Sequence, residues 1–397
     1  MTEWREEDVA WLCTPECREA VERCLELDPA TVALDGRVPH AALVATQVKY
    51  LQRARRKLPS YYRARCILPP RAFEQSSSEE CARHKSYSGS RCLDLTCGLG
   101  VDACFLSRSF GRVVALERDP VLAAVARENF ARLGISNVEV ACVPAEEYVR
   151  NCTERFDLVY ADPDRRSEAG RKLVRLEECS PDMTALLPRL RELAPRIVVK
   201  NSPLFDVDEA FRLFAPARVE VVSLGGECKE VMAETGRSVG EPLLRATAVG
   251  IGSAEFSPDE LRGGMACAEF RPESCRYLLI PDAALLKARV ARRHTVRVAP
   301  GAYIESDNGY GFDTRIPEGF IGRVYAIESL EPYAPRTLKR RFKAEGVRRI
   351  TVFKRDFPLP ADRIAAALGV REGGETCFAF TKTAGTLWAI RLKSLHL

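Results

Sequence analysis

Residues Arg91–Gly100 read RCLDLTCGLG, and this stretch decides how the rest of the 397-residue chain is interpreted. Its apolar first half predicts a short buried strand. The glycines at positions 98 and 100 predict a loop whose backbone approaches a ligand closely, followed by a helix. The same pattern is typical of dinucleotide-binding folds, in which Ala103 would be the third small residue.

Asp94 separates these two interpretations, because it stands at the end of the predicted strand, four residues before Gly98. A carboxylate in this place would repel a pyrophosphate. It would instead accept charge-assisted hydrogen bonds from the ammonium group of an amino-acid-like ligand. We therefore expect S-adenosylmethionine as the cofactor rather than a dinucleotide.

The spacing downstream favours the same ligand. A second apolar strand, Arg112–Leu116, ends at Glu117, nineteen residues after Gly98, where an acid suits the two hydroxyls of a ribose. A third strand, Val138–Val143, precedes the residues expected at the adenine edge. The residues predicted to bind the cofactor are Asp94, Thr96, Gly98, Gly100, Asp102, Glu117, Arg118, Ala145, Glu146 and Asp162.

Two further predicted strands, Phe156–Ala161 and Ile197–Val199, end in the polar sequences DPDRR (162–166) and KNSP (200–203). The carboxyl ends of the strands form the ligand-binding edge of an open parallel sheet, so both segments are expected beside the cofactor. Taken singly, each is equally well explained as a solvated loop. Four polar segments in register favour a functional site.

Length and composition limit the class of protein. A chain of 397 residues is expected to form two to four domains. Its longest apolar runs stay below the ~18 residues that a membrane span requires, and its acidic start, MTEWREED, is unlike a signal peptide. Its 15 cysteines are scattered and its four histidines are dispersed. We therefore expect a cytoplasmic protein with reduced cysteines, no membrane partner and no metal site.

The net charge of +5 conceals a strong asymmetry. Residues 1–30 carry nine acids against three bases, whereas residues 331–355 carry nine bases against two acids. A second basic run lies on a predicted helix, Ala41–Leu58. Each run alone is better explained as a solvated helix face, but both beside a methyl-donor site indicate contact with a phosphate backbone. The predicted nucleic-acid contacts are Lys49, Arg53, Arg56, Lys57, Lys339, Arg340 and Arg341.

Three expectations concern the elements around the first five strands. Glu6–Leu27 is patterned as one amphipathic helix. Residues 76–80, SSSEE, contain two overlapping capping boxes, Ser76 with Glu79 and Ser77 with Glu80, and predict a helix start. Val219–Leu224 and Ala246–Ile251 are the strands expected to complete a seven-stranded sheet.

Six short motifs make the chain resemble a bacterial class I S-adenosylmethionine-dependent methyltransferase family with a C-terminal THUMP-like domain. Cys97 stands where that family is expected to carry a glycine. The motifs are KLP (57–59), FEQSSSE (73–79), LDLTCGLGVD (93–102), DPDRR (162–166), KNSP (200–203) and GECKE (226–230).

The resemblance implies an α/β fold: a Rossmann-like, seven-stranded class I methyltransferase domain with a helical region before it and small α+β domains after it. The implied boundaries are 1–75 for the helical N-terminal region, 76–256 for the methyltransferase domain, 257–328 for a ferredoxin-like module and 329–397 for the THUMP-like domain. THUMP domains are RNA-binding appendages, so the resemblance also implies RNA as a partner.

The acceptor chemistry is expected in the DPDRR loop. Methyl transfer is an in-line displacement, so the protein mainly orients the reactants and excludes water. Asp162 and the Pro163 carbonyl would accept the N–H groups of a base amine and free its lone pair. Lys200 would either touch the substrate or cap a strand end. The predicted catalytic residues are Asp162, Pro163, Asp164, Arg165, Arg166 and Lys200.

Alternative chemistries and functions follow from the same residues. Arg165 and Arg166 would stack on a base or grip phosphate. Methylation of cytosine C5 would need a cysteine nucleophile beside a proline, and the loop has none. The leading hypothesis is an enzyme that methylates a base in structured RNA, such as tRNA or rRNA. The alternatives are a small-molecule or protein methyltransferase, and a non-catalytic RNA-binding protein that retains the fold.

Overall fold

The computed structural model describes residues 4–164 and 179–395. The chain forms two compact units. The first comprises Met1–Val219 and Val231–Glu241, and the second comprises Glu220–Glu230 and Pro242–Leu397. Within the described ranges, none of the helices is both long and apolar enough to cross a lipid bilayer.

The first unit begins with seven helices. The predicted single helix Glu6–Leu27 is wrong, because it is interrupted before Pro15. The Thr14 hydroxyl accepts the N–H of Cys17 and caps a new helix there. The helices are α1 (Glu6–Leu12), α2 (Pro15–Cys24), α3 (Pro29–Leu34), α4 (Ala41–Lys57), α5 (Pro59–Arg63), α6 (Pro70–Gln75) and α7 (Glu79–His84).

Five parallel strands follow, in the spatial order β3-β2-β1-β4-β5, with helices between them. The strands are β1 (Gly89–Asp94), β2 (Phe110–Glu117), β3 (Val138–Cys142), β4 (Leu158–Ala161) and β5 (Arg196–Asn201). The helices are α8 (Val101–Leu106), α9 (Pro120–Arg132), α10 (Ala145–Asn151), α11 (Met183–Leu193) and α12 (Val207–Phe214). This arrangement confirms the predicted α/β class I fold, with the carboxyl ends of β1, β2, β4 and β5 at one edge.

Beyond β5 the strand order continues with β7 (Glu227–Thr235), β6 (Ala217–Leu224), β8 (Leu243–Ala248) and β9 (Gly252–Phe256). Within the described residues the sheet therefore has nine strands, not the seven that were predicted. Strands β6 and β7 form a hairpin, through which the division between the units passes. The pairing of β7 with β5 is antiparallel and matches Asn201 with Val231. The strand predicted at Ala246–Ile251 is β8 of this sheet, but it starts three residues earlier and ends at Ala248. The prediction that it completes the sheet is wrong, because it leaves out β7 and β9. Gly225 and Gly226 have φ values of 63° and 82°, the left-handed conformation of a two-residue hairpin turn, so the chain reverses at once.

The second unit continues with an antiparallel pair, β8 (Leu243–Ala248) and β9 (Gly252–Phe256), and a seven-stranded sheet of order β11-β12-β10-β13-β16-β15-β14. The sheet strands are β10 (Tyr277–Pro281), β11 (Tyr303–Ile304), β12 (Gly311–Asp313), β13 (Gly322–Pro332), β14 (Arg349–Lys354), β15 (Arg371–Thr383) and β16 (Thr386–Ser394). The helices are α13 (Pro258–Arg262), α14 (Ala283–Lys287), α15 (Ala291–Val298), α16 (Pro335–Ala344) and α17 (Ala361–Leu368), with a 3-10 turn at Pro272–Ser274.

One sheet therefore joins the segments 257–328 and 329–397. Strand β13 pairs with β10 on one side and with β16 on the other, and the boundary expected at residue 329 falls inside it. The core beneath α16 and α17 is aromatic, because Phe342 packs edge-on against Phe378, which stacks on Phe380.

The loop after β1 is held from several sides. Gly98 and Gly100 adopt positive φ values of 54° and 81°. The fully buried Tyr61 donates a hydrogen bond to the Leu99 carbonyl (3.3 Å), and the ring of Phe130 closes over Gly100. The N-terminal helices and the glycine loop therefore pack as one structure within the first unit.

We predict that Gly100→Ala destabilises the first unit strongly. A Cβ at residue 100 would lie 2.6 Å from Phe130 Cζ, and the left-handed backbone adds strain. The expected loss in free energy of unfolding is about 2–4 kcal/mol, measured by urea denaturation. Gly134→Ala is the matched control, because Gly134 has φ 71° but no atom within 4 Å of an added Cβ, and it should lose about 1–2 kcal/mol. Equal losses would show that Phe130 does not constrain the loop.

Candidate functional site

Asp94 occupies the centre of the edge formed by the strand ends. Its carboxyl group is buried, and Oδ1 accepts the N–H of Thr96 at 2.9 Å. Oδ2 is also buried and has no hydrogen-bond partner among the described residues. Buried carboxylate oxygens are almost always paired, so this atom marks the place of a ligand that donates hydrogen bonds.

The electrostatics of Asp94 support the same conclusion. Burial raises its pKa from an ordinary value of 3.8 to about 7, because the charged form loses its hydration. The Thr96 N–H opposes this shift, and the carboxylates of Asp102 and Asp162 add to it. A cation placed against Oδ2 would restore the ionised form at neutral pH.

Glu117, at the end of β2, faces the glycine loop. Its Oε2 accepts the Gly98 N–H at 2.9 Å, and its Oε1 accepts the Asp119 N–H at 2.9 Å. Burial raises its pKa, while these two backbone donors counteract the shift. Arg118 donates to the Ser180 hydroxyl at 2.9 Å, so its guanidinium contacts a residue that follows the DPDRR loop in the chain.

The structure brings the other predicted cofactor-binding residues to the same edge. Thr96, Gly98 and Gly100 form the loop after β1. Ala145 is buried and Glu146 half-buried at the start of α10, directly after β3. Their contact with a cofactor remains a prediction.

Hydrogen bonds hold the first residues of the DPDRR loop next to this site. The Asp162 N–H donates to Thr96 Oγ1 at 2.7 Å, which joins the ends of β1 and β4. Asp164 and Ser180 exchange backbone hydrogen bonds of 2.9 and 3.0 Å, and Arg71 reaches Asp164 Oδ2 at 3.3 Å. Pro163 is buried. The predicted catalytic residues Arg165 and Arg166 lie outside the described residues.

Asp102 makes its contacts within the protein. Lys85 Nζ lies 2.7 Å from its Oδ1, and the hydroxyls of Tyr160 and Ser77 donate to its Oδ2 at 2.9 and 3.0 Å. Burial would raise its pKa, but Lys85 and Lys200 outweigh that effect and hold the pKa well below its usual range. Asp102 is therefore ionised at neutral pH.

Lys200, at the end of β5, lies between two carboxylates. Its Nζ forms an ion pair with Asp162, donates to Ser77 Oγ at 2.9 Å and lies 3.7 Å from Asp102 Oδ2. Four charged groups of alternating sign thus run from Lys85 to Asp162, and each is largely withdrawn from solvent except Asp162. These contacts place the Lys200 ammonium group beside Asp162, and its two interpretations, contact with the substrate or capping of a strand end, stay predictions.

Sequence reasoning missed Ser77 and Lys85. It assigned the serines at 76 and 77 to helix capping, whereas α7 starts at Glu79 and its cap is Ser78, whose hydroxyl accepts the Cys81 N–H at 3.2 Å. That capping prediction is wrong. Ser77 is released for the contact with Asp102, and the FEQSSSE motif was the available signal.

The basic face of α4 is partly used in packing. Lys49 and Arg56 are exposed. Arg53 pairs with Glu74 and lies 5.4 Å from the Tyr50 ring centre. Lys57 donates to main-chain carbonyls of α6, including that of Glu74 at 3.2 Å. These contacts give Arg53 and Lys57 a structural explanation, whereas Lys49 and Arg56 remain predicted RNA contacts.

The basic helix α16 in the second unit presents a more open surface. Lys339 and Arg340 are exposed, whereas Leu338 and Phe342 are buried. Arg341 forms an ion pair with Glu331, with 2.6 Å between Nη2 and Oε1. In the part of the chain that the structure describes, no group of three or more acidic, histidine or cysteine side chains is arranged to hold a metal ion.

Two family models match the sequence. Residues 92–174 match a methyltransferase domain, and residues 322–393, which start with β13, match a THUMP domain-like family. A crystal structure of a Porphyromonas gingivalis W83 protein, proposed to be a methyltransferase, covers 100% of both chains with a TM-score of 0.82 and 24% identity. That likeness shows that the fold is shared along the whole chain.

Two curated relatives are similar over shorter regions. An uncharacterised S-adenosylmethionine-dependent methyltransferase of Mycobacterium tuberculosis is 28% identical over 234 residues, 57% of this chain and 60% of the relative. The ribosomal RNA small subunit methyltransferase J of Aeromonas hydrophila is 32% identical over 130 residues, 28% of this chain and 52% of the relative. The chain thus spans between half and two thirds of the length of these relatives.

The M. tuberculosis relative is described as S-adenosylmethionine-dependent, which confirms the cofactor that was expected from Asp94. Together with the order of the strands, the comparisons confirm the family that the motifs resemble: the chain is a relative of the class I S-adenosylmethionine-dependent methyltransferases and carries a C-terminal THUMP-like domain.

Proposed function

We propose that the protein is an S-adenosylmethionine-dependent methyltransferase that modifies a base in structured RNA, such as rRNA or tRNA. One observation carries the first half of this proposal: Asp94 Oδ2 is buried without a partner among the described residues, at the strand end that leads into the glycine loop held by Glu117. These carboxylates accept hydrogen bonds, and they fit a ligand that donates from an ammonium group at one end and from ribose hydroxyls nearby.

The roles of the cofactor-binding residues follow from their chemistry. Asp94 would accept hydrogen bonds from the ammonium group, and Glu117 would accept those of the ribose hydroxyls. S-adenosylmethionine supplies the reaction with an activated methyl group on a sulfonium. The protein needs to add position and exclusion of water rather than a strong acid or base.

Asp162 would orient the acceptor. Its N–H is held by Thr96, and its carboxylate is paired with Lys200, so the group is fixed near the cofactor edge as a hydrogen-bond acceptor. An amine on a nucleobase could donate to this carboxylate and to the Pro163 carbonyl, which would direct its lone pair towards the methyl group. On this proposal the acceptor atom is a nitrogen.

RNA as the substrate class rests on three supports. The similar A. hydrophila protein is a ribosomal RNA methyltransferase, and the C-terminal residues match a THUMP domain-like family. In addition, Lys339 and Arg340 on α16 are exposed and positively charged, which suits a phosphate backbone.

The test is methyl transfer by the purified full-length protein. It should bind S-adenosylhomocysteine and not NAD in calorimetric titrations. It should also transfer a radiolabelled methyl group from S-adenosylmethionine to RNA extracted from a strain that lacks the gene. Label in the protein or small-molecule fraction would support the alternative substrates. Cofactor binding without transfer to any fraction would support a non-catalytic RNA-binding protein.

We predict that Asp94→Asn separates cofactor affinity from stability. Losing the charged acceptor should weaken S-adenosylhomocysteine binding about 10- to 100-fold, which corresponds to a charged hydrogen bond of about 1.5–3 kcal/mol. In the wild type, affinity should fall about tenfold per pH unit below about pH 7, because Asp94 must be ionised to bind the ammonium group. The variant should lack this pH dependence. A wild-type affinity that is constant from pH 5 to 8 would contradict the assignment.

The same substitution should raise stability. The folded-state pKa of Asp94 lies above its ordinary value, so its contribution to stability is fully present below about pH 4 and is lost as the pH rises to about 7. Asp94→Asn should therefore unfold at a higher temperature than the ligand-free wild type above pH 7, measured by thermal melting. A variant that loses both affinity and stability would indicate a folding defect instead.

We also predict that α16 contributes phosphate contacts. Lys339→Ala with Arg340→Ala should weaken RNA binding and lower the slope of log affinity against log salt by about 1.4–1.8, because each phosphate contact contributes about 0.7–0.9. Arg262→Ala with Arg271→Ala removes the same charge from exposed positions of the same unit and is the matched control. Equal slopes in both variants would rule out α16 as the RNA contact.

A further inference from the structure

The acceptor site contains a buried lysine that the proposed chemistry does not explain. The Lys85 side chain is 1% exposed, and its partner Asp102 is 11% exposed. Burying an ion pair removes the hydration of both ions at a large cost, so such pairs add little stability compared with apolar packing. The position of the pair next to Lys200 points to a different role.

The contacts form a continuous chain. Lys85 Nζ bonds Asp102 Oδ1 at 2.7 Å, and the Ser77 hydroxyl donates to Asp102 Oδ2 at 3.0 Å. The same Ser77 oxygen accepts from Lys200 Nζ at 2.9 Å, and Lys200 pairs with Asp162. Tyr160 donates the remaining hydrogen bond to Asp102 Oδ2, at 2.9 Å.

Two carboxylates, those of Asp162 and Asp102, lie close enough to pair with Lys200. Its ammonium group contacts Asp162 and lies only 3.7 Å from Asp102 Oδ2. A lysine side chain is flexible, so its charge moves towards the less neutralised partner. Lys85 neutralises Asp102 at Oδ1 and also lies 3.4 Å from Ser77 Oγ, so Asp102 competes less strongly for Lys200.

We propose that Lys85 and Ser77 are positioning residues that commit Lys200 to Asp162 and thereby orient the acceptor carboxylate. The proposal rests on the proposed function for the role of Asp162. Ser77 acts as the spacer, because its hydroxyl joins Asp102 to Lys200 and keeps the ammonium group on the side of Asp162.

The position of α7 explains why both residues reach Asp102. Ser77 directly precedes the cap of α7, and Lys85 is the residue at which α7 ends. A helix of six residues thus carries one contact at each end. The segment from Ser77 to Lys85, just before β1, thereby contributes both ends of its helix to the site around Asp102 and Lys200, and the FEQSSSE motif gains a function.

The decisive test is a pair of variants. Lys85→Met should leave Asp102 without its cation, so Lys200 should move to Asp102 and the kcat of methyl transfer should fall about a hundredfold, as expected for a misplaced reacting group. The double variant Lys85→Met with Asp102→Asn should have a kcat about tenfold or more above that of Lys85→Met, because no charge at residue 102 then competes for Lys200. S-adenosylhomocysteine affinity should stay within about threefold of wild type in Lys85→Met, because Asp94 and Glu117 are untouched.

Crystal structures of the variants give a readout that does not depend on activity. Lys200 Nζ should contact Asp102 in Lys85→Met and Asp162 in the double variant. A Lys200 that remains on Asp162 in Lys85→Met, or a double variant slower than Lys85→Met at saturating cofactor, would overturn the proposal. A wild type that transfers no methyl group would refute the proposed function, while the crystal structures would still decide the position of Lys200.

Ser77→Ala keeps the proposal testable if Lys85→Met does not fold. It should lower kcat about tenfold or more with little change in melting temperature, because a charge-assisted hydrogen bond is lost at the acceptor site. Ser76→Ala is the matched control, since the Ser76 hydroxyl bonds the Phe73 carbonyl at 3.0 Å, outside the chain of charges. Equal kcat values for the two variants would contradict the role of Ser77.

Discussion

The hydrogen bond from the Asp162 N–H to Thr96 Oγ1 couples the two halves of the candidate site. Thr96 also donates its own N–H to Asp94, so one half-buried residue fixes both the carboxylate expected to bind the cofactor and the one expected to orient the acceptor. This coupling is possible because β1 and β4 are adjacent and parallel, with Asp94 in register with Tyr160. In-line transfer depends on the distance between cofactor and acceptor. The hydrogen bonds of Thr96 set the distance between Asp94 and Asp162, the residues expected to hold them.

The sequence predicts the parallel part of the fold well, because buried parallel strands are short apolar runs followed by polar residues at the binding edge. The sequence-based prediction fails at two places where a turn signal was given less weight than the hydrophobic pattern around it. The apolar pattern over Glu6–Leu27 hid the break at Pro15, and the apolar run at Ala246–Ile251 drew attention from the hairpin that Gly225 and Gly226 make. In both cases the turn-forming residues were visible and carried more information than the hydrophobic period.

The candidate site also contains residues that the sequence predicted and residues that it did not. Asp94, Glu117, Asp162 and Lys200 all stand at strand ends, so the sheet rule alone brings them together. Ser77 and Lys85 are 25 and 17 residues from Asp102, and no period or spacing indicates that they meet it. The basic segments show a further limit of sequence reasoning, since charge counts cannot tell exposed residues such as Lys339 from those that already pair, such as Arg53 with Glu74.

The continuity of β13 has a consequence for the evolution and handling of the C-terminal domain. The family match begins at residue 322, yet β13 is bonded along one side to β10, which lies before that point in the chain. A fragment restricted to the family match would present an open strand edge with unpaired N–H and C=O groups, a template for aggregation. The segment that the family match covers is therefore smaller than the sheet to which it belongs. In the full chain β10 pairs with residues 322–326 of β13, so the segment that precedes the family match protects this part of the strand edge.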